Sequence, residues 1–169
     1  MWDLTALQDL LHNNGMWTAV ETQGTLAPSW LSKATLVVVS PKSPGMGEKF
    51  DYTKLMSFLS AHGGIRTVAL KIVIFSQQDI EFALEVGTLT QDFIPEGLRF
   101  LSLGNPHPPV LNDELELVDD EAAKSGQLLP ILMQSYRELI EDICNDWRIL
   151  DWKFMPQLHV LAFGNEASR

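Results

Sequence analysis

Five short polar segments hold the residue types that could grip a small ligand: Glu21-Thr22-Gln23-Gly24-Thr25, Ser40-Pro41-Lys42, Phe75-Ser76-Gln77-Gln78, Ser102-Leu103-Gly104-Asn105 and Phe163-Gly164-Asn165. Each follows an apolar run. Glycine lets backbone approach a flat ring or a carboxylate closely. Hydroxyls supply directed hydrogen bonds, and a lysine offsets anionic charge, more strongly where water is excluded. Glycine and asparagine also make ordinary turns, so a single segment says little. The set says more, because parallel strands deliver their C-terminal ends to one rim, where ligands meet α/β proteins. The pattern singles out no catalytic residue and no metal-ligand set.

Other chemistries lack their motifs. Pro44-Gly45-Met46-Gly47-Glu48-Lys49 superficially suggests a phosphate loop, but the G-x-x-x-x-G-K-[ST] spacing is missing, and the segment reads as a mobile loop. There is no G-x-S-x-G elbow, and His12, His62, His107 and His159 show no H-E-x-x-H spacing. The lone Cys144 excludes an internal disulfide, suits a reducing compartment and reads as a small buried hydrophobe. One cysteine cannot hold an iron–sulfur cluster. The formal net charge of -10 argues against direct nucleic-acid binding, which needs clustered Lys and Arg. No basic-then-apolar leader is seen, and no apolar run nears the ~20 residues of a membrane span. A cytoplasmic protein without membrane partners is expected.

With 46% hydrophobic and 20% charged residues in 169, the chain can bury a core, and residues 1–169 are expected to form a single domain. Leu4, Leu7, Leu10 and Leu11 make a helical stripe that stops at Asn13-Asn14-Gly15. A strand is expected over Trp17–Val20, a short helix over Pro28–Lys33, and a strand over Leu36–Val39. A helix over Tyr52–Ala61 carries Leu55, Phe58 and Leu59 on one side and ends at Gly63-Gly64. The strongest strand is Val68–Phe75. Ser76 then reads as the N-cap of a helix from Gln77 to about Val86. Arg99–Leu103 forms another strand. Residues 106–126 form an acidic, proline-containing loop, with six carboxylates between Asn112 and Glu121 read as solvated. A helix over Leu128–Asn145 presents Leu132, Tyr136, Leu139, Ile140 and Ile143, and Gln157–Phe163 makes a last strand. Strands and helices alternate, and several strands are apolar on both faces. The class is α/β with a mostly parallel sheet.

In order and spacing, the E-T-Q-G-T, S-P-K, L-K-I-V-I-F, S-L-G-N and P-Q-L-H-V-L-A-F-G-N segments resemble the 7-carboxy-7-deazaguanine synthase family of radical-SAM enzymes over nearly the whole chain. The resemblance implies an incomplete radical-SAM-type partial (β/α) barrel. It implies a carbon–nitrogen lyase in which a 4Fe-4S cluster cleaves S-adenosylmethionine. The adenosyl radical abstracts hydrogen from 6-carboxy-5,6,7,8-tetrahydropterin, and ring contraction with loss of ammonia gives 7-carboxy-7-deazaguanine, on the route to queuosine-type tRNA modification. Magnesium assists. Carried over by motif, Thr22 resembles a substrate contact. Gly24, with Ser40, Pro41 and Lys42, resembles the S-adenosylmethionine cradle, and Ser102, Leu103, Gly104 and Asn105 resemble a further cofactor-facing strand end. Gln157 and His159 resemble the closing strand, where the family often follows the histidine with Lys but this chain has Val160. A surface lysine is the competing reading of Lys42.

The family's C-x-x-x-C-x-x-C cluster motif and the Gly-Gly-Glu/Asp-Pro strand end after it do not occur in these 169 residues. Met1 therefore reads as an internal methionine, a late start codon or an artificial boundary. The first strand present would then have an unpaired edge. Pairing with a second copy, as a homodimer, or with a missing N-terminal segment is expected. The alternative function is a non-catalytic remnant or module that binds S-adenosylmethionine or a pterin; an unrelated α/β enzyme using Lys42 or His159 is a third reading.

Overall fold

A computed structural model of the chain describes residues 3–62, 67–104 and 128–157. Its centre is a five-stranded sheet of β1 (Ala19–Thr22), β2 (Leu36–Val39), β3 (Thr67–Ile74), β4 (Arg99–Leu103) and β5 (Lys153–Met155). The strands lie in the order β1-β2-β3-β4-β5, and every pair is parallel. Each crossover therefore advances one position in the same direction. That is the winding of a (β/α) barrel, not of a doubly wound sheet that reverses at its middle. The sheet stays open, as the partial-barrel expectation requires.

The helix α1 (Thr5–Asn13) precedes β1, and α2 (Tyr52–His62), α3 (Gln77–Leu89) and α4 (Leu128–Asn145) lie in the connections β2–β3, β3–β4 and β4–β5. Strand alternation sends Val37, Val39, Val68, Leu70, Ile72, Ile74, Leu101 and Leu103 into one buried cluster. The helices answer with Leu55, Phe58 and Leu59 from α2, Ile80, Ala83 and Val86 from α3, and Tyr136, Leu139 and Ile143 from α4. The helical spacing of these residues is the reason each helix lies on the sheet. The opposite sheet face carries Val38, Lys71, Val73 and Phe100, which are half-buried.

Four points go beyond the sequence reading, and one of them, the exposure of Cys144, corrects it. The leucine stripe of α1 does not enter the core: Leu7 and Leu10 are exposed, while Gln8 is buried and accepts a hydrogen bond from the Thr18 hydroxyl at 2.9 Å. The helix is instead tied to the 3-10 turn Ser29–Lys33 by an ion pair between Asp9 and Lys33. Ile140 is exposed, because α4 buries the face of Tyr136, Leu139 and Ile143. Cys144 is exposed too, since it lies ~100° around the helix from Ile143. The fifth strand is Lys153–Met155, a short segment with no apolar run to announce it. The expected strand over Gln157–Phe163 lies outside the described residues beyond Gln157, as do His159, Asn105, the 106–126 loop and the Gly63-Gly64 helix stop.

Among the described residues, no helix is long and apolar enough to cross a membrane.

Candidate functional site

Because all the strands run the same way, Thr22, Ser40, Phe75, Gly104 and Pro156 emerge at the same edge of the sheet. The ends of β1 and β2 are level, with Thr22 opposite Val39, and the Ser40 N–H donates to the Thr22 carbonyl at 2.7 Å. β3 runs four residues beyond the last residue it pairs with β2, from Leu70 to Ile74, where it meets Leu103. The Ser40–Gly47 segment follows that overhang. It is fastened there by the Ser43 hydroxyl, which donates to the Val73 carbonyl at 2.7 Å, and by the Gly45 N–H, which donates to Asp79 at 2.7 Å.

The first group of candidate residues gathers at a cleft of about 300 Å³. Gln23 and Thr25 from the β1 tail, Pro41 and Lys42 from the β2 tail, and Phe50, Asp51 and Lys54 beside α2 form its walls. The Phe50 and Phe82 rings meet edge to face at a centroid distance of 5.0 Å, which ties this wall to α3. Lys42 is half-buried, and among the described residues no carboxylate lies within ion-pairing distance of it. Asp51 is otherwise engaged. It accepts from the Lys54 backbone N–H at 3.1 Å and pairs with the Lys54 ammonium at 3.2 Å, and these two contacts hold its carboxyl below the usual carboxylate range.

Thr22 and Gly24 flank Gln23 in the chain but do not line the cleft. The Thr22 Oγ1 accepts from the Gly24 N–H at 3.2 Å, so the hydroxyl proton stays available to a ligand acceptor. Gly24 is buried in the left-handed region at φ +76. A Cβ there would lie 2.7 Å from Val39 Cγ1 and 3.0 Å from Leu55 Cδ1. The glycine is thus required by the core beneath the cleft.

The second group lies apart, at the ends of β3 and β4. Gly104 donates its N–H to the Ile74 carbonyl at 2.8 Å, and a Cβ on it would sit 2.3 Å from the Phe75 ring. Gly104, Phe75 and Ser76 open onto a cavity of about 220 Å³ closed by Tyr136, Leu139, Glu138 and Asp142 of α4. Ser102 and Leu103 are buried within β4 and do not line it. The structure therefore brings Pro41 and Lys42 to one cleft with Gln23 and Thr25, leaves Thr22 and Gly24 outside its lining, and sets Gly104 at another cavity along the same rim. Among the described residues no group of three or more His, Cys, Asp or Glu side chains converges as a metal site would require.

No family model matches the chain. Over 160 residues it is 32% identical to the 7-carboxy-7-deazaguanine synthase of Bacillus cereus, a match covering 95% of this chain and 60% of that protein. The chain is a sequence relative of the 7-carboxy-7-deazaguanine synthases. The synthase of that name from Bacillus subtilis (strain 168) is 30% identical over 166 residues, covering 96% of this chain and 62% of the relative. The chain thus spans about 60% of the length of the curated synthases it matches.

Two features of this synthase relative escaped the motif reading. Lys71, on the open face of β3, pairs with Glu21 of β1 at 2.6 Å across the intervening β2. Its signal was present: one lysine inside an otherwise apolar strand. Asp79 is fully buried at the start of α3. A carboxylate three residues after Ser76 also had a signature, that of a helix start whose third residue reaches back. The Ser76 hydroxyl does not cap α3 by accepting an N–H; it lies 3.2 Å from Asp79 Oδ2, to which it donates.

Proposed function

We propose that this chain supplies the S-adenosylmethionine- and pterin-facing rim of a 7-carboxy-7-deazaguanine synthase, a radical-SAM lyase. The reaction contracts 6-carboxy-5,6,7,8-tetrahydropterin to 7-carboxy-7-deazaguanine with release of ammonia. What supports the reading is the meeting of the β1 and β2 tails at one cleft, where Gln23 and Thr25 face Pro41 and Lys42, together with the sequence likeness over 95% of the chain. The half-buried Lys42 ammonium would face the ligand's carboxylate, and its attraction grows as the ligand displaces water. Thr22 donates its hydroxyl proton to a polar edge of the pterin. Ser40 and Pro41 hold the backbone that carries Lys42. Of Ser102, Leu103 and Gly104, Gly104 alone opens onto a cavity, and it is assigned to the further cofactor-facing strand end.

The 4Fe-4S cluster does not fit the residues of this chain. A cluster needs several thiolates, and the one cysteine, Cys144, is exposed near the end of α4, away from the rim segments in sequence. No step of reductive cleavage is therefore assigned to these residues; the ligands would come from a segment outside the 169. The same lack of thiolates favours a second reading, a module that binds S-adenosylmethionine or a pterin without radical chemistry. An in-frame C-x-x-x-C-x-x-C upstream of Met1, with iron uptake by the extended protein after anaerobic reconstitution, supports the synthase. Absence of both leaves the binding module.

Titration calorimetry with S-adenosylmethionine tests what the two readings share. Lys42→Ala should weaken binding about tenfold. Equal affinity in the variant and the parent would remove Lys42, and with it this cleft, from the ligand site. The edge of β1, which has no partner strand among the described residues, is proposed to be covered by a further N-terminal segment or by a second copy of the chain, in a cytoplasmic protein.

A further inference from the structure

Between Ser40 and Gly47, the described hydrogen bonds that leave the segment go to Thr22, Val73 and Asp79. The last is unlike the others, because it ends on a carboxylate with no exposed surface. Burying a carboxylate is expensive unless donors surround it. Asp79 has them: Oδ1 accepts from the Gly45 N–H at 2.7 Å, while Oδ2 accepts from the Phe75 N–H at 2.9 Å and the Ser76 hydroxyl at 3.2 Å. Hydrogen bonds to an ionised acceptor are about twice as strong as neutral ones. Capping α3 uses only Oδ2. The other oxygen is spent on a loop 34 residues earlier in the chain, three residues past Lys42.

Gly45 is shaped for this contact. A Cβ on it would come within 2.5 Å of Asp79 Oδ2 and 2.9 Å of Phe75 Cδ2. Ser43, itself fully buried, locks the strand-side end of the same segment to Val73. Lys42 is therefore the half-exposed residue next to a doubly anchored stretch of backbone.

We infer that Asp79 is a positioning residue: its carboxylate fixes the Ser43–Gly47 turn to the start of α3, and so sets where Lys42 presents its ammonium to an anionic ligand in the cleft. The part concerning the ligand rests on the reading that Lys42 faces S-adenosylmethionine; the anchoring itself does not. Asp79→Asn keeps the size but turns one acceptor into an N–H donor that faces N–H groups. Gly45→Ala keeps the carboxylate and pushes the turn away from it.

The test measures amide exchange and S-adenosylmethionine affinity in the full chain. In both variants the amides of residues 45–47 should exchange about tenfold faster, while Leu70 and Ile72 in β3 keep their protection. Affinity should fall about tenfold, and its salt dependence should flatten to that of Lys42→Ala. The double variant Lys42→Ala/Asp79→Asn should bind no more weakly than Lys42→Ala alone. A merely structural Asp79 would lower β3 protection and leave the salt dependence intact. Unchanged exchange in the turn overturns the proposal, and so does faster exchange with unaltered affinity and salt response. If Asp79→Asn fails to fold, Gly45→Ala decides. If the parent chain takes up no S-adenosylmethionine, the ligand reading of the cleft fails, and the anchoring stands or falls on the exchange result.

Discussion

Gly24 shows how a residue can be placed by its type for one reason and required for another. In the E-T-Q-G-T segment its lack of a side chain suggested room for a ligand; in the structure Val39 and Leu55 occupy the space a side chain would take. Two penalties should then meet in Gly24→Ala, a left-handed backbone at φ +76 and a Cβ 2.7 Å from Val39. Gly15 separates them, since it has a similar φ of +71 but no atom within 4 Å of where a Cβ would sit. Gly15→Ala should cost about 1 kcal/mol, from backbone strain alone. Gly24→Ala should cost a further 1–3 kcal/mol or so from overpacking. Urea unfolding of both variants checks this, and equal losses would mean that Val39 and Leu55 move aside freely. The chemistry-bearing residues were legible because hydroxyls, glycines and a lysine after apolar runs are conspicuous. What was not legible is which neighbour each one answers to, as that depends on residues far away in sequence.

At the scale of elements, β5 is the piece that periodicity could not reveal. Lys153–Met155 is short and exposed along its length, so neither alternation nor an apolar run marks it. It is held by what flanks it. Trp152 is buried against Gly87 of α3, Arg148 donates to Glu81 of α3 at 2.6 Å, and the Lys153 ammonium donates to the Gly97 carbonyl at 2.6 Å. A Cβ at position 87 would lie 2.7 Å from Trp152 Cζ2, which sets up a reversal of sign. Alanine is the better helix former by about 1 kcal/mol, yet Gly87→Ala should destabilise the protein by about 1–3 kcal/mol, because it pushes the indole out. In a Trp152→Ala background the same change should stabilise by roughly 0.5–1 kcal/mol. Denaturation of the four proteins of this cycle reads both signs; a penalty that survives loss of the indole would rule out the contact as its cause. The other strands and helices β2, β3, β4, α2, α3 and α4 were readable within a few residues, since each pairs a strong period with a clear stop. The opening helix was readable as a helix, but the side its stripe would face was not. Its leucines have the right spacing for a core, but spacing does not say that a core lies on that side.

For the whole molecule, that outward leucine face and the sheet edge belong together. In the strand order β1 is terminal, and among the described residues its outer side has no partner strand. Flanking it in the chain, Trp17 is 89% exposed and Met16 and Leu26 are open to solvent, and Leu7 and Leu10 of α1 are exposed as well. Unpaired backbone groups along an edge and apolar side chains next to it are both features that invite another chain. A sheet wound in one direction keeps this edge unless it closes or a helix or loop covers it, and among the described residues its five strands do not close. The expected behaviour is concentration-dependent association of the 169-residue chain, measured by sedimentation. Leu7→Lys with Leu10→Lys should weaken it, because these residues are already exposed and their replacement costs the fold little. Supplying the preceding segment of a longer synthase relative should suppress association by competing for the same edge. A chain that sediments as a monomer at every concentration, and unfolds at a high temperature, would show that an open parallel edge of this kind is tolerated without a partner.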